Sequence, residues 1–158
     1  MEPKFLVDVN VGRLAKWLRI LGYDATFIPN ADDDLLINVA SEEKRTLLTR
    51  DSYIMDRRKV ASGEVKALLI PSEHVWEQLK YVVDAMGLNS DERFSRCIEC
   101  NIPLNPLPKE STRELVPPFV YATQEDFMRC HRCSKIYWKG THWSNMRQEL
   151  TKISVTLT

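Results

Sequence analysis

The chain has 158 residues and a mass of 18.4 kDa, which suits one ordinary domain, or a domain of about 90 residues carrying a smaller module. Hydrophobic residues at 44%, charged residues at 28%, and only five glycines and eight prolines exclude a collagen-like, low-complexity or wholly disordered chain. Lysine plus arginine equals aspartate plus glutamate at 22 each, so the overall charge carries no nucleic-acid signal.

Residues 1–90 alternate between strand and helix patterns. Lys4 to Val9 is a short apolar run, and Gly12 to Leu21 has helix spacing with Leu14, Trp17, Leu18 and Leu21 on one face. A second strand is expected over Ala25–Ile28, a second helix over Asp33–Glu43, a third strand over Arg45–Thr49 and a fourth over Val65–Ile70. A helix from Glu73 to Met86 follows, with Gly87 as its C-cap. Such alternation predicts a parallel sheet covered on both faces, with ligands beyond the carboxyl ends of its strands.

The polar stretch Asn89-Ser90-Asp91 marks the expected boundary between domains 1–90 and 91–158. Beyond it stand Cys97-x-x-Cys100 and Cys130-x-x-Cys133, two knuckles separated by 29 residues that include five prolines. Without a secretion signal, this spacing predicts one structural zinc held by four thiolates, over two redox dithiols or a pair of disulfides. From Phe127 to Gln148 there is no acid, while Arg129, Arg132, Lys135, Lys139 and Arg147 alternate with aromatic residues and with His131 and His142. Such a stretch can track a phosphate backbone and stack bases. A C-terminal helix is expected over Asn145–Ile153.

Asp8 and Asp51 follow the first and third predicted strands. If those strands are neighbours, the two carboxylates meet above the sheet, and the cluster Asp32-Asp33-Asp34 at the entrance of the second helix can supply a third. Crowded carboxylates call for a hard cation, Mg²⁺ or Mn²⁺, able to activate water and offset charge on a phosphate. Each acid also has a local alternative: Asp32, Asp33 and Asp34 as helix caps, Asp51 as the cap of a turn at Ser52. Asp56 is a weaker fourth candidate. On the first helix, Arg13, Lys16 and Arg19 oppose the apolar face. Arg13 lies near its N-terminus, where free N–H groups are expected to meet a phosphate, and Arg50 stands beside Asp51.

Phe5-Leu6-Val7-Asp8, the run Gly12 to Asp24 and Leu47-Leu48-Thr49-Arg50-Asp51 resemble the Mut-seven C-terminal RNase domain, a PIN-like family. Arg96-Cys97-x-x-Cys100-Asn101 and Cys130-x-x-Cys133, with the run Lys135 to Trp143, resemble that family's zinc ribbon. The resemblance implies a PIN-like three-layer α/β/α fold on a parallel sheet with a C-terminal four-cysteine zinc ribbon. It also implies metal-dependent RNase activity, acids at Asp8, Asp51 and one of Asp33 and Asp34, and a basic pair at Lys16 and Arg19. Asn10 is expected to bond a metal-bound water.

The expected function is therefore an intracellular, cytoplasmic RNA endonuclease, with no membrane association. Zinc is structural, Mg²⁺ or Mn²⁺ sits at Asp8 and Asp51, and Arg13, Lys16, Arg19, Arg50, Lys139 and His142 contact RNA. Two alternatives have distinct signatures: a non-catalytic RNA-binding or ribonucleoprotein-associated module would bind without cleaving, and a PIN-type toxin would arrest growth. Whether the ribbon meets RNA or a protein partner stays open at this level.

Overall fold

A computed structural model describes residues 2–89 and 95–152, apart from the side chains of residues 141–143, 146, 147 and 150. Four parallel strands form the first sheet: β1 (Phe5–Val7), β2 (Ala25–Phe27), β3 (Thr46–Thr49) and β4 (Ala67–Leu69), in the order β2-β1-β3-β4. The two central strands, β1 and β3, are buried throughout, as expected for strands covered on both faces.

Side-chain alternation assigns each strand residue to a layer. Phe5, Val7 and Leu48 point to the face covered by α1 (Leu14–Ile20) and α5 (Val75–Met86), where they join Leu14, Leu18, Leu79 and Val82. Leu6 and Leu47, paired in register, point to the other face, covered by α2 (Asp33–Glu43), α3 (Ser52–Met55) and α4 (Arg58–Ala61). The result is the expected three-layer α/β/α arrangement. Between α1 and α5, the rings of Trp17 and Trp76 pack at 4.4 Å.

The chain leaves β1 through α1 toward β2 on one side, and returns through α2 to β3 on the other. The junction between β1 and β3 is therefore the switch point of the sheet, the place where side chains after the strands flank an open crevice.

The sequence pattern differs from the structure mainly at element starts. A 3₁₀ turn, Val9–Val11, precedes α1, which begins at Leu14 and not Gly12. The N–H groups of Gly12 and Ala15 are taken by the carbonyls of Val9 and Gly12, so the helix start offers fewer free donors than expected. Helices α3 and α4 are too short for the periodicity of apolar residues to reveal them.

The second sheet is antiparallel, β5 (Asn105–Leu107), β6 (Phe127–Arg129) and β7 (Ile136–Tyr137), in the order β5-β6-β7. The proline-rich excursion between β5 and β6 holds a 3₁₀ turn at Lys109–Thr112 and α6 (Pro118–Thr123). The last helix, α7 (Thr141–Lys152), starts four residues before the expected Asn145; Ile153 lies outside the described residues. So does most of the expected boundary, since residues 90–94 are not described.

Candidate active site and metal centre

Asp8 follows β1 and is 7% exposed. Its Oδ1 accepts the N–H of Val9 at 2.7 Å, capping the 3₁₀ turn, and its Oδ2 accepts the hydroxyl of Thr49 at 2.8 Å. The same Thr49 oxygen accepts the N–H of Asp51 at 3.0 Å, so one fully buried hydroxyl links the two acids across the β1–β3 junction. Asp51 Oδ1 then accepts the N–H of Tyr53 at 2.9 Å and caps α3. A second link crosses the same junction: Asn10 Oδ1 accepts the N–H of Arg50 at 3.0 Å.

At the entrance of α2, Asp32 is the N-cap, accepting the N–H of Leu35 at 2.9 Å, which leaves Asp33 and Asp34 without that duty. Their environments differ. Desolvation, followed by the negative charge of Asp51 and, more weakly, Asp8, holds the Asp33 carboxyl above the usual carboxylate range, against the pull of Arg57 at 3.8 Å. Asp34 is 73% exposed and pairs with Arg57. Asp56 is exposed at the end of α3. Among the described residues, no three of these acids bring ligand atoms within 4.8 Å of one another.

The basic candidates divide in the same way. Arg13 and Lys16 are exposed, the Lys16 ammonium lying 5.5 Å from the Trp17 ring centre. Arg19 is half-buried: its Nε–H donates to the carbonyl of Ala25 at 2.9 Å and its Nη1–H to the carbonyl of Ile98 at 2.7 Å. Burial lowers its proton affinity, partly countered by Cys97 and Asp24. Arg50 keeps a buried Nε with no hydrogen-bond partner among the described residues. Lys139 is exposed, whereas the side chain of His142 lies outside the described residues. Of the interleaved aromatics, Tyr137 is buried and Trp138 is half-buried against Phe127.

The four cysteines converge, their sulfur atoms all within 4.8 Å of one another. Cys97 and Cys133 Sγ are 3.8 Å apart, matching the edge of about 3.8 Å in a tetrahedron with Zn–S bonds of about 2.3 Å. Both knuckles share one local design. The first cysteine is buried, its sulfur receives backbone N–H groups, and its carbonyl accepts from Asn101 or Ser134, each at positive φ. Without metal the thiols compete for protons. Although burial opposes it, the N–H groups of Cys133 and Arg132 draw Cys130 down to about 7, while burial and the bonds its own S–H donates to the Cys133 and Cys130 sulfurs push Cys100 up to about 12. The Tyr137 hydroxyl lies 3.2 Å from Cys97 Sγ and accepts the N–H of Ile98 at 3.1 Å, tying the third strand of the ribbon to the first knuckle. This donor set fits zinc.

The first knuckle is also the anchor between the two sheets. Asn101 donates to Asp24 Oδ1 at 2.7 Å and accepts the N–H of Ala25 at 3.0 Å. Arg96 donates to the carbonyls of Asn101 and Gly22. Asp24 pairs with the buried Arg45 at 2.7 Å; these bonds hold its carboxyl below the usual range although burial pulls upward. Gly22, Asp24 and Ala25 precede or open β2, so the anchor lies at the amino ends of the strands, opposite the acids.

Thr49, Asn101 and the pair Asp24–Arg45 are the structurally central residues for which sequence reasoning assigned no role, and Tyr137, expected among base-stacking aromatics, is buried with its hydroxyl at the first knuckle. A threonine closing an apolar strand just before Arg-Asp, and an asparagine directly after a Cys-x-x-Cys knuckle, were the available signals.

No helix among the described residues is long and apolar enough to cross a membrane. No curated protein and no solved structure matches the chain. A family model described as the Mut7-C RNAse domain matches residues 3–150. The chain therefore belongs to the Mut7-C RNase domain family, which gives it a ribonuclease-related role.

Proposed function

We propose that the protein is a metal-dependent endoribonuclease whose reaction centre lies at the β1–β3 junction, within a nuclease domain spanning residues 1–90. The observation that carries this reading is the Asp8–Thr49–Asp51 hydrogen-bond chain at the switch point, together with an Asp33 carboxyl whose proton affinity is raised by the charges of Asp51 and Asp8. Asp33, rather than Asp34, is the third acid in this reading.

A bound Mg²⁺ or Mn²⁺ would lower the pKa of an attacking water and offset charge on the phosphodiester. Asp8 and Asp51 would hold it through lone pairs that their capping and Thr49 bonds do not use, and Asp33, which caps nothing, through its own carboxylate. Thr49 and Asn10 orient the two strand-end segments. Arg13 and Arg50 stand beside the strand-end acids and, with Lys16 further along α1, receive the phosphate backbone, Lys139 and His142 extend the contact from the ribbon, and Arg19 holds the ribbon against α1. In the ribbon, residues 91–158, zinc bound by Cys97, Cys100, Cys130 and Cys133 maintains the fold and presents basic residues to RNA or to a protein partner.

One observation favours a second reading. Asp8 and Asp51 both act as caps, and the acids stand further apart than a preformed ion site needs. A module that binds RNA without cleaving it would keep the same local bonds.

Cleavage of single-stranded and structured RNAs with Mg²⁺ or Mn²⁺ separates the two. Asp8→Asn and Asp51→Asn, at matched folding and zinc content, should each lower cleavage by roughly a hundredfold or more while leaving RNA binding intact. Binding that weakens with salt, with no cleavage by the wild type, would favour the non-catalytic module.

A further inference from the structure

Next to Asp8 a cleft of about 320 Å³ opens between the 3₁₀ turn and the start of α5, lined by Val9, Asn10, Arg13, Glu73, Val75 and Gln78 among others. Gln78 is 4% exposed, an unusual position for an uncharged amide on an otherwise apolar helix face. Its Nε2–H donates to the carbonyl of Ser72 at 3.0 Å, which leaves Oε1 as an acceptor with no partner among the described residues. Asn10 is set the other way: its Oδ1 is turned to the N–H of Arg50, and its Nδ2–H₂ has no acceptor among the described residues. Two amides anchored through opposite ends, Gln78 by its nitrogen and Asn10 by its oxygen, therefore line one recess. Val9 and Val75 supply apolar surface, Glu73 adds a second acceptor, and Arg13 adds a cation with no ion pair among the described residues.

We infer that this cleft is a base-reading subsite for one unpaired nucleotide flanking the scissile phosphate, selective for bases that carry an exocyclic amine. The inference deepens the ribonuclease reading and rests on it for the adjacency to a cleaved bond. A recess of roughly 300 Å³ is at the small end of ligand sites and suits a single nucleotide. A base can enter only when it is out of the stack, as in single-stranded RNA. Side-chain amides are good readers of base edges, and here their hydrogen-bonding sense is set by Ser72 and Arg50. Gln78 Oε1 and Glu73 accept from the amine of adenine, cytosine or guanine, and Asn10 donates to a neighbouring ring nitrogen or carbonyl. Uracil offers a single imide N–H between two carbonyls, which places a carbonyl against an acceptor. Arg13 meets the attached phosphate.

The test is the affinity of the zinc-loaded full chain for labelled eight-nucleotide oligo-A, oligo-C and oligo-U, measured by fluorescence anisotropy with no added Mg²⁺ or Mn²⁺. The wild type should prefer oligo-A and oligo-C over oligo-U by roughly tenfold, and Gln78→Met and Asn10→Ala should each erase the difference. Equal affinity for all three RNAs, or a preference that both variants retain, overturns the subsite. If Gln78→Met melts early, Asn10→Ala at its exposed position decides alone. Discrimination among the RNAs without cleavage after Mg²⁺ or Mn²⁺ is added would keep the subsite and remove the ribonuclease reading. Cleavage that depends on Asp8 but shows no base preference would do the reverse.

Discussion

At the scale of single residues, the acids at the strand ends serve two purposes. Asp8 and Asp51 satisfy N–H groups of the turns that follow β1 and β3, and those bonds aim the carboxylates at one crevice. Thr49 is the common partner, fully buried and bonded on both sides. Thr49→Val keeps the shape but leaves the Asp8 carboxylate and the Asp51 N–H each short of a partner. It should cost about 1–3 kcal/mol of stability, read from urea unfolding, and should lower RNA cleavage more than RNA binding. A variant as stable and as active as the wild type would show that the two acids are positioned without it. The acids themselves were legible because a carboxylate at the end of an apolar strand is expensive unless something uses it. Thr49 was not, since its role exists only once β1 and β3 are adjacent. The choice between Asp33 and Asp34 was likewise closed to sequence, because both sit in the first turn of α2 and only the fold decides which one faces Asp51.

At the scale of elements, apolar periodicity located β1, β2, α2 and α5 to within a residue or two. Their ends depend on caps. Helix α2 stops at Lys44, which adopts the left-handed conformation at φ 57°, while α5 stops at Gly87 at φ 62°. Glycine takes that conformation freely, whereas a lysine is strained there by about 1 kcal/mol. Lys44→Gly should therefore stabilise the protein by up to about 1 kcal/mol, less the added freedom of the unfolded chain, visible as a higher urea midpoint with unchanged slope. A lower midpoint would mean that the Lys44 side chain contributes more than its strain costs. The short helices α3 and α4 escaped prediction because one turn holds too few residues to show a period; they form because Asp51 caps the first and because Ile54 and Val60 are drawn into the core.

At the scale of the whole molecule, the two sheets are joined through the first cysteine knuckle. Arg19, Arg96 and Asn101 bind the segment Gly22 to Ala25, and Ile98 packs against the core under α1 and α5 and against the core of the ribbon. Removing zinc should therefore loosen more than the ribbon. With a chelator, or in Cys97→Ser, amide hydrogen exchange should accelerate in β5–β7 and also at β2 and the end of α1. Acceleration confined to the ribbon would show that the anchor survives without metal. Because this contact lies at the amino ends of the strands, a zinc ion held by the four cysteines would support the sheet from the side opposite the acids.

The local and periodic features were determined by sequence alone: an alternating strand and helix half, two knuckles at metal-binding spacing, and acids after the first and third strands. Each of these depends on neighbours within a few residues, where side-chain period, turn geometry and thiolate chemistry act directly. Tertiary structure decided which acids share a crevice, that Arg19 and Tyr137 serve packing and the knuckle, and that Gln78 faces a cleft beside Asp8. Those relations join residues 18 to 79 positions apart, from Asp33 with Asp51 to Arg19 with Ile98, and they follow from strand order and burial rather than from any local pattern.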